Sequence, residues 1–359
     1  MDWGEVGRRV RETRIAAGLS QDQLAVRAGL ERSMVAKVEA GRRRVDAIEL
    51  TRFAASLDVS LAHFLDDRPM VMSRRSATLG EEINTTSDKD LLRVESALFA
   101  WWRDVNQLID EGCLRMREPL IYGGAVRDSH QSRVVAKWVR EKLCIGLDPI
   151  ETLMSVCEQA GQYVLVTDIP GDGASLVEGG VAVAVIASSP DPGRRRATAA
   201  HELGHLVLGD EYSTEMGVAS SRQERESIVD AFAAELLLPS EVLRSLEGGD
   251  LRKDLIRLAA TYRTSWALAI RQAKHAEVIS LSDARSLKSS NPTRAEFREA
   301  IGWVPQPDLG QVLVPPSYAD AVMEALRSAK LTPGRAAELM HGEVGLDDLL
   351  VVVESELEP

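Results

Sequence analysis

His201-Glu202-Leu203-Gly204-His205 is the stretch of this chain best equipped to do chemistry. Its flanks, Ala197-Thr198-Ala199-Ala200 and Leu206-Val207-Leu208, favour a helix, with no Pro or turn-forming Gly just before the first histidine. On a helix, residues four apart stand one turn above the other on a single face. Both imidazoles can then bind one ion, with Glu202 alongside. Zinc suits such ligands, at about 2.0–2.1 Å from nitrogen, and a catalytic zinc takes three protein ligands and leaves a fourth position for water. The metal brings the pKa of that water toward about 7, and Glu202 can take its proton. An amphipathic helix with two surface histidines would read the same over five residues. Against that plain alternative, the chain has only six histidines, and two of them fall here.

A third ligand stands further along. Glu226-Ser227-Ile228-Val229-Asp230 reads E-x-x-x-D, and it resembles the arrangement in zincins whose third ligand is a Glu on a second helix. Glu226 would then bind the metal. Asp230, one turn on, would accept a hydrogen bond from the far nitrogen of a ligand histidine and fix its tautomer. The plain alternative for Glu226 is a solvated helix charge, since Arg222, Glu224 and Arg225 crowd beside it. The resemblance sharpens over a longer span. Thr198 to His205 fits T-x-A-H-E-x-G-H, and Glu226 to Pro239 fits E-x-x-A-[DN]-x-F-A-A-x-L-L-x-P, with Val229 where Ala is usual. Together these resemble the ImmA/IrrE family of metallopeptidases, over about residues 90–280. The resemblance implies a zinc endopeptidase with His201, His205 and Glu226 on the metal, Glu202 as the catalytic base and Asp230 behind the histidines. Family members cleave XRE-type repressors, which implies a repressor protein as substrate and a role in a stress or mobile-element response.

The chain has 359 residues, 45% of them apolar, and a formal net charge of −12. That length predicts two or three domains. The acidic balance disfavours coating of nucleic acid by the whole molecule, while leaving room for one DNA-reading module, because local charge decides binding. Three cysteines without C-x-x-C spacing read as small apolar residues in a reducing cytosol. The start, Met1-Asp2-Trp3-Gly4-Glu5, lacks a basic-then-apolar signal pattern, and no apolar run approaches the ~18 residues that span a bilayer. The expectation is a cytoplasmic protein without a membrane partner.

The elements around the motif follow from patterning. Residues 1–66 read as four helices. Ser20 caps the second, Gly29 makes the turn, and a third runs about Arg32 to Ala40. Gly18-Leu19-Ser20-Gln21-x-x-Leu24-Ala25, Gly29 and Val38-Glu39-x-Gly41 resemble the XRE (Cro/cI-type) repressors. That resemblance implies binding to double-stranded operator DNA, often as a two-fold dimer. Gln21 would meet a phosphate or base, Arg32, Ser33 and Lys37 would lie on the recognition helix, and Arg14 and Glu39 would form a structural ion pair. Arg42, Arg43 and Arg44 could hold the DNA backbone. Acids and bases are nearly balanced here, and such folds also serve as protein-interaction modules.

Residues 67–90 read as a polar linker. Residues 91–248 read as an α+β, zincin-like peptidase domain, opening on a long helix from Leu91 to near Gly112, with Trp102 and Trp138 as core or interface residues. Tyr163–Val166 predicts a strand, Gly171–Ala174 a loop, and Val181–Ala187 a further strand. That last run is either the edge to which an extended substrate would add or a fully buried strand. Arg194, Arg195 and Arg196 read as a solvated helix start, and Tyr212 as a weak candidate for stabilising an oxyanion. Residues 249–280 resemble the small helix-turn-helix-like segment that follows the peptidase in the family. Within 281–359, Ser282 to Thr293 reads as a second linker, and Trp303 with Val312-Leu313-Val314 as a short β segment. Tyr318–Ala329 and Pro333–Met340 read as helices that dock on the core, dimerise or sense a signal. The fold class expected is multidomain and mainly α. The function expected is a DNA-bound zinc endopeptidase acting on a repressor. One alternative is an XRE-type transcription factor whose peptidase-like domain senses a ligand or metal without proteolysis. Another is an antitoxin-like protein that binds a partner through its first domain.

Overall fold

A computed structural model describes residues 2–57, 59, 61–65, 71–75, 85–189, 191–209, 219–246, 249–302, 309–310 and 313–350. It is mostly helical. The first domain comprises α1 (Trp3–Ala16), α2 (Gln21–Ala28), α3 (Arg32–Glu39), α4 (Ala47–Leu57) and a short α5 (Ala62–Leu65). Ser20 and Gln23 cap α2 reciprocally, and Asp46 caps α4 through the Glu49 amide. Val6, Val10, Leu24, Val35, Val38, Phe53 and Phe64 close its core. Arg14 holds Glu39 at 2.5 and 2.9 Å and also donates to the Leu19 carbonyl, tying α1 to α3 and to the turn before α2.

The second part contains β1 (Val71–Arg75), α6 (Thr85–Asp110), α7 (Ser129–Lys142), α8 (Leu153–Gln159), β2 (Gln162–Thr167), β3 (Gly173–Glu178), β4 (Val181–Ala187), α9 (Pro192–Val207) and α10 (Ala219–Leu237). The chain continues through α11 (Ser240–Arg244), α12 (Leu251–Thr261), α13 (Trp266–His275), α14 (Leu281–Lys288), α15 (Arg294–Ile301), α16 (Pro316–Arg327) and α17 (Pro333–Leu339). The strands form one sheet in the order β1-β3-β4-β2, with β2 and β4 parallel and the other pairs antiparallel. Side chains alternate across a strand, and β4 divides its residues accordingly. Ala182, Ala184 and Ile186 join Val164 and Val166 in a core with α7, α8, α9 and α10. Val181, Val183 and Val185 join Tyr163, Leu165 and Leu176 in a second core with α6, α16 and α17. A strand covered on both faces needs an unbroken apolar run, which is what residues 181–187 supply.

Of the two readings of 181–187 the buried strand holds: the run lies between β3 and β2 and is buried throughout, so it is not an edge that receives a substrate. Four expectations change. Arg195 and Arg196 are buried rather than solvated, and Arg196 donates to the Ile150 carbonyl at 3.0 Å. Gly171–Ala174 is not all loop, because Gly173 and Ala174 already belong to β3. Of the polar segment 67–90, residues 71–75 pair with β3 and α6 begins at Thr85, so it is not one continuous tether. Ser282 to Thr293 is not a linker but most of α14 and the N-cap of α15, the two helices being opened by capping boxes, Ser280 with Asp283 and Thr293 with Glu296. Trp303 and Val312 lie outside the described residues. Leu313 gives its carbonyl to the Val166 amide at the outer side of β2.

The C-terminal helices dock on the core. The Trp101 indole of α6 donates to the Tyr163 carbonyl at 2.9 Å and packs 4.5 Å from the Tyr318 ring. Arg335 and His341 both reach Asp104, at 2.7 and 3.1 Å. Helices α1 and α5 pack on α6 as well, so one long helix carries the first domain on one part of its surface and the sheet on another. Among the described residues no helix is long and apolar enough to cross a membrane. Trp101→Ala removes the largest fully buried side chain and its hydrogen bond. It is expected to cost about 3–5 kcal/mol, the usual range for Trp→Ala in a core, as a lowered midpoint in denaturant titration.

Candidate metal centre

The centre is built where two helices touch without a side chain between them. Helix α9 starts at Pro192, with Asp191 accepting from the Gly193 and Arg194 amides. Arg194 bonds Asp172, at the approach to β3, and so fixes the entry of the helix. A Cβ at Gly173 would stand 2.8 Å from the Thr198 methyl, so β3 begins flush against α9. Across the other face, a Cβ at Gly204 would meet the Val229 side chain at 2.9 Å and the Phe232 ring at 3.0 Å. Gly204 therefore lets α10 lie close on α9, and the extra bulk of Val229 fills the space it leaves. Helix α10 is anchored further along by Glu235, which is fully buried. Glu235 accepts from Arg133 of α7, from Gln272 of α13, and from both the amide and hydroxyl of Ser240. A buried carboxylate is tolerable only with such partners. Glu235 occupies an unassigned position of the sequence motif, and its role was not legible there.

This packing brings His201, His205 and Glu226 together. One ligand atom from each lies within 4.8 Å of the others. The two Nε2 atoms are 3.1 Å apart, and the Glu226 Oε2 stands 3.1 Å from His201 Nε2 and 3.9 Å from His205 Nε2. Donors around a tetrahedral ion at the zinc–nitrogen distance stand about 3.4 Å apart, so the observed separations bracket that geometry. His201 Nδ1 is 2.9 Å from Asp230 Oδ1. A carboxylate there makes Nδ1 the donor and leaves the Nε2 lone pair facing the cluster. Both imidazoles are buried. Burial is the main reason that the His205 pKa falls to about 4, opposed by the carboxylate of Glu202 and reinforced by the neighbouring His201. A neutral imidazole is the form that binds a metal.

Glu202 is fully buried beside the cluster. Its Oε2 accepts from the Ser175 hydroxyl of β3 at 2.7 Å, and among the described residues no group bonds its buried Oε1. A buried carboxylate with one oxygen unspent, next to three converging donor atoms, fits a metal with a reacting water better than a packed core. Ser175 was missed in the sequence because it lies on an unread strand and meets Glu202 only across two elements. Tyr212 lies outside the described residues.

In the first domain, Arg32, Ser33 and Lys37 are exposed on α3. Arg32 approaches Asp22 at 3.6 Å, and Ser33 leans on Glu31 at 3.4 Å. Gln21 donates to Glu39 at 2.8 Å, which joins it to the Arg14–Glu39 pair. Arg43 is held by both oxygens of Glu49, whereas Arg42 and Arg44 are exposed.

Comparison with known proteins agrees with this two-part architecture. The peptidase M78 family, described as an IrrE N-terminal-like domain, matches residues 157–273, and a helix-turn-helix domain family matches residues 5–64. An uncharacterized transcriptional regulator in the ATPase CF(0) region of Rhodospirillum rubrum is 40% identical over 62 residues, 17% of this chain. The chain spans 57% of that relative's length. The restriction-modification controller protein C.AhdI from Aeromonas hydrophila is 40% identical over 96% of its own length and 18% of this chain, with a TM-score of 0.17. Bacillus thuringiensis PlcR, solved with the peptide PapR7 and DNA, overlays 99% of this chain and all of its own at 11% identity, with a TM-score of 0.19.

The close contact of α9 and α10 makes a direct prediction. Gly204→Ala is expected to destabilise the fold by about 1–3 kcal/mol, the cost of overpacking, measured by denaturant titration. Adding Val229→Ala should recover part of that loss, because it removes the methyl that the new Cβ would strike.

Proposed function

As a member of the ImmA/IrrE family with an N-terminal XRE-type helix-turn-helix domain, this chain is, we propose, a zinc-dependent endopeptidase joined to a DNA-binding module. It would act as a transcriptional regulator that cleaves an XRE-type repressor. One observation carries the reading: three donor atoms of the types zinc prefers converge beside a fully buried Glu202. Zinc held by His201, His205 and Glu226 would supply a Lewis acid that acidifies water and polarises the scissile carbonyl. The protein's own groups do the rest. Asp230 keeps the proton of His201 on Nδ1. Ser175 orients Glu202 through one oxygen and leaves the other for proton transfer. Glu202 takes the proton from the attacking water and hands it to the leaving amide nitrogen, so that one water is added and one peptide bond broken.

The first domain would bring this centre to an operator in the cytoplasm, with Arg32, Ser33 and Lys37 toward the major groove. Pairing with a second copy would let two such modules read paired half-sites. Gln21, bonded to Glu39, would reach the DNA as part of the Arg14–Glu39 cluster rather than as a free side chain.

Two measurements test these roles. Elemental analysis is expected to find about one zinc per chain, the stoichiometry of a three-ligand catalytic site, with zinc lost in His201→Ala and Glu226→Ala. Glu202→Gln should keep the metal and lose cleavage of a co-expressed repressor. A Glu202→Gln protein that still regulates would favour the sensor reading instead. For DNA, anisotropy of a labelled random-sequence duplex should show affinity falling steeply with salt. Arg42→Ala and Arg44→Ala should each reduce that log–log slope by about 1, whereas Arg43→Ala, already spent on Glu49, should leave it unchanged.

A further inference from the structure

The edge of the sheet nearest the metal centre is already filled by the chain itself. Strand β3 carries Ser175, whose hydroxyl holds Glu202 at 2.7 Å. The outer side of β3 faces β1, and the pairing is antiparallel, with Ser73 opposite Ser175, Arg74 opposite Ala174 and Arg75 opposite Gly173. The register slips between Val71 and Ser73, where an extra residue bulges. Strand β1 also touches α9, the helix that bears both histidines. A chain in this position therefore lies one strand spacing, ~4.8 Å, from the strand that positions the catalytic carboxylate.

An edge strand offers a row of unpaired amides and carbonyls that will take any extended chain of suitable polarity. Here β4 is interior, and the outer side of β2 accepts Leu313. The β3 edge is the one beside Glu202. We propose that the interdomain segment Val71–Arg75 is an intramolecular competitor, occupying the edge to which an extended substrate of this centre would add. An extended peptide must displace β1 to reach Glu202. The inference rests on the peptidase reading for its purpose, but not for its geometry. Three features suit β1 to leaving. It is only five residues long, it lies at the edge, and it is interrupted by a bulge. It also sits between α5, which closes the DNA-reading domain, and α6, against which that domain packs. Displacing β1 lengthens the tether of that domain, so peptide capture and domain position are linked reciprocally.

The test uses a fluorescein-labelled synthetic peptide spanning residues 69–77. It is titrated by anisotropy into the full chain carrying Glu202→Gln, which prevents turnover. A second full chain carries Glu202→Gln and has residues 71–75 replaced by Gly-Ser-Gly-Ser-Gly. A tethered competitor acts at an effective concentration in the millimolar range. The replaced chain should therefore bind the probe at least about tenfold more tightly. Equal affinities, or no binding to either chain, overturn the proposal. Hydrogen exchange on the chain with native 71–75 provides a reading that does not depend on the replacement folding. Saturating peptide should speed exchange at residues 71–75 while residues 173–176 stay protected, and unchanged exchange at 71–75 overturns it. Binding is read without turnover. A displaced β1 in a chain whose native form cleaves nothing would reject only the peptidase reading. An active peptidase with equal affinities would reject only the competitor.

Discussion

Two helices can bring three ligand atoms to one point only if their backbones approach closely, and the side-chain-free face of Gly204 sets that approach. Val229 and Phe232 of α10 rest where a Cβ would project from α9. The same helix then carries Glu226 to within 3.1 Å of His201 Nε2 and Asp230 to within 2.9 Å of His201 Nδ1. One turn separates those two carboxylates, so a single placement of α10 serves both sides of one imidazole. Neither bond would survive a shift of α10 by the width of a methyl group. The buried Glu235, tied to α7, α11 and α13, holds α10 against such a shift.

Burial gives this cluster its chemical character. Packed against the sheet, both histidines lose solvent, and His205 is kept neutral down to about pH 4. The two Nε2 atoms stand 3.1 Å apart with a Glu226 oxygen 3.1 Å from one of them, a spacing that suits three donors around one ion. Glu202 shares the burial. Ser175 donates to one of its oxygens, and the proposed mechanism assigns the other to proton transfer.

The sheet does more than support α9. Because β4 is covered on both faces, one face of the sheet packs against α9 and α10, which carry the candidate ligands, and the other receives α6 and the C-terminal helices. Helix α6 in turn receives α1 and α5 of the DNA-reading domain. Residues 313–350, of unassigned role in the sequence, thus help to stiffen the wall against which that domain rests. The segment joining the two parts supplies β1, so the connection between the helix-turn-helix domain and the candidate centre runs along the edge of the sheet.

Local patterns were legible in the sequence because they depend on neighbours a few residues apart. H-E-x-x-H spacing placed two histidines and Glu202 on one helix, E-x-x-x-D placed Glu226 and Asp230 one turn apart, and Ser20, Gly29 and the apolar periodicity marked the helix-turn-helix. Capping boxes at Ser280 and Thr293 were equally local, yet their polar surroundings hid them. Contacts between distant segments were decided only by the tertiary structure. Whether Val181–Ala187 is an edge depends on what pairs beside it, and β3 and β2 flank it. Ser175 gains its role from a helix 27 residues away. The polar segment 71–75 becomes a strand because β3 offers it an open edge, and backbone pairing is nearly indifferent to side-chain type. Periodicity records which way a residue faces. It does not record which partner stands there, and the partner decides whether a strand is buried, a carboxylate catalytic or an edge free.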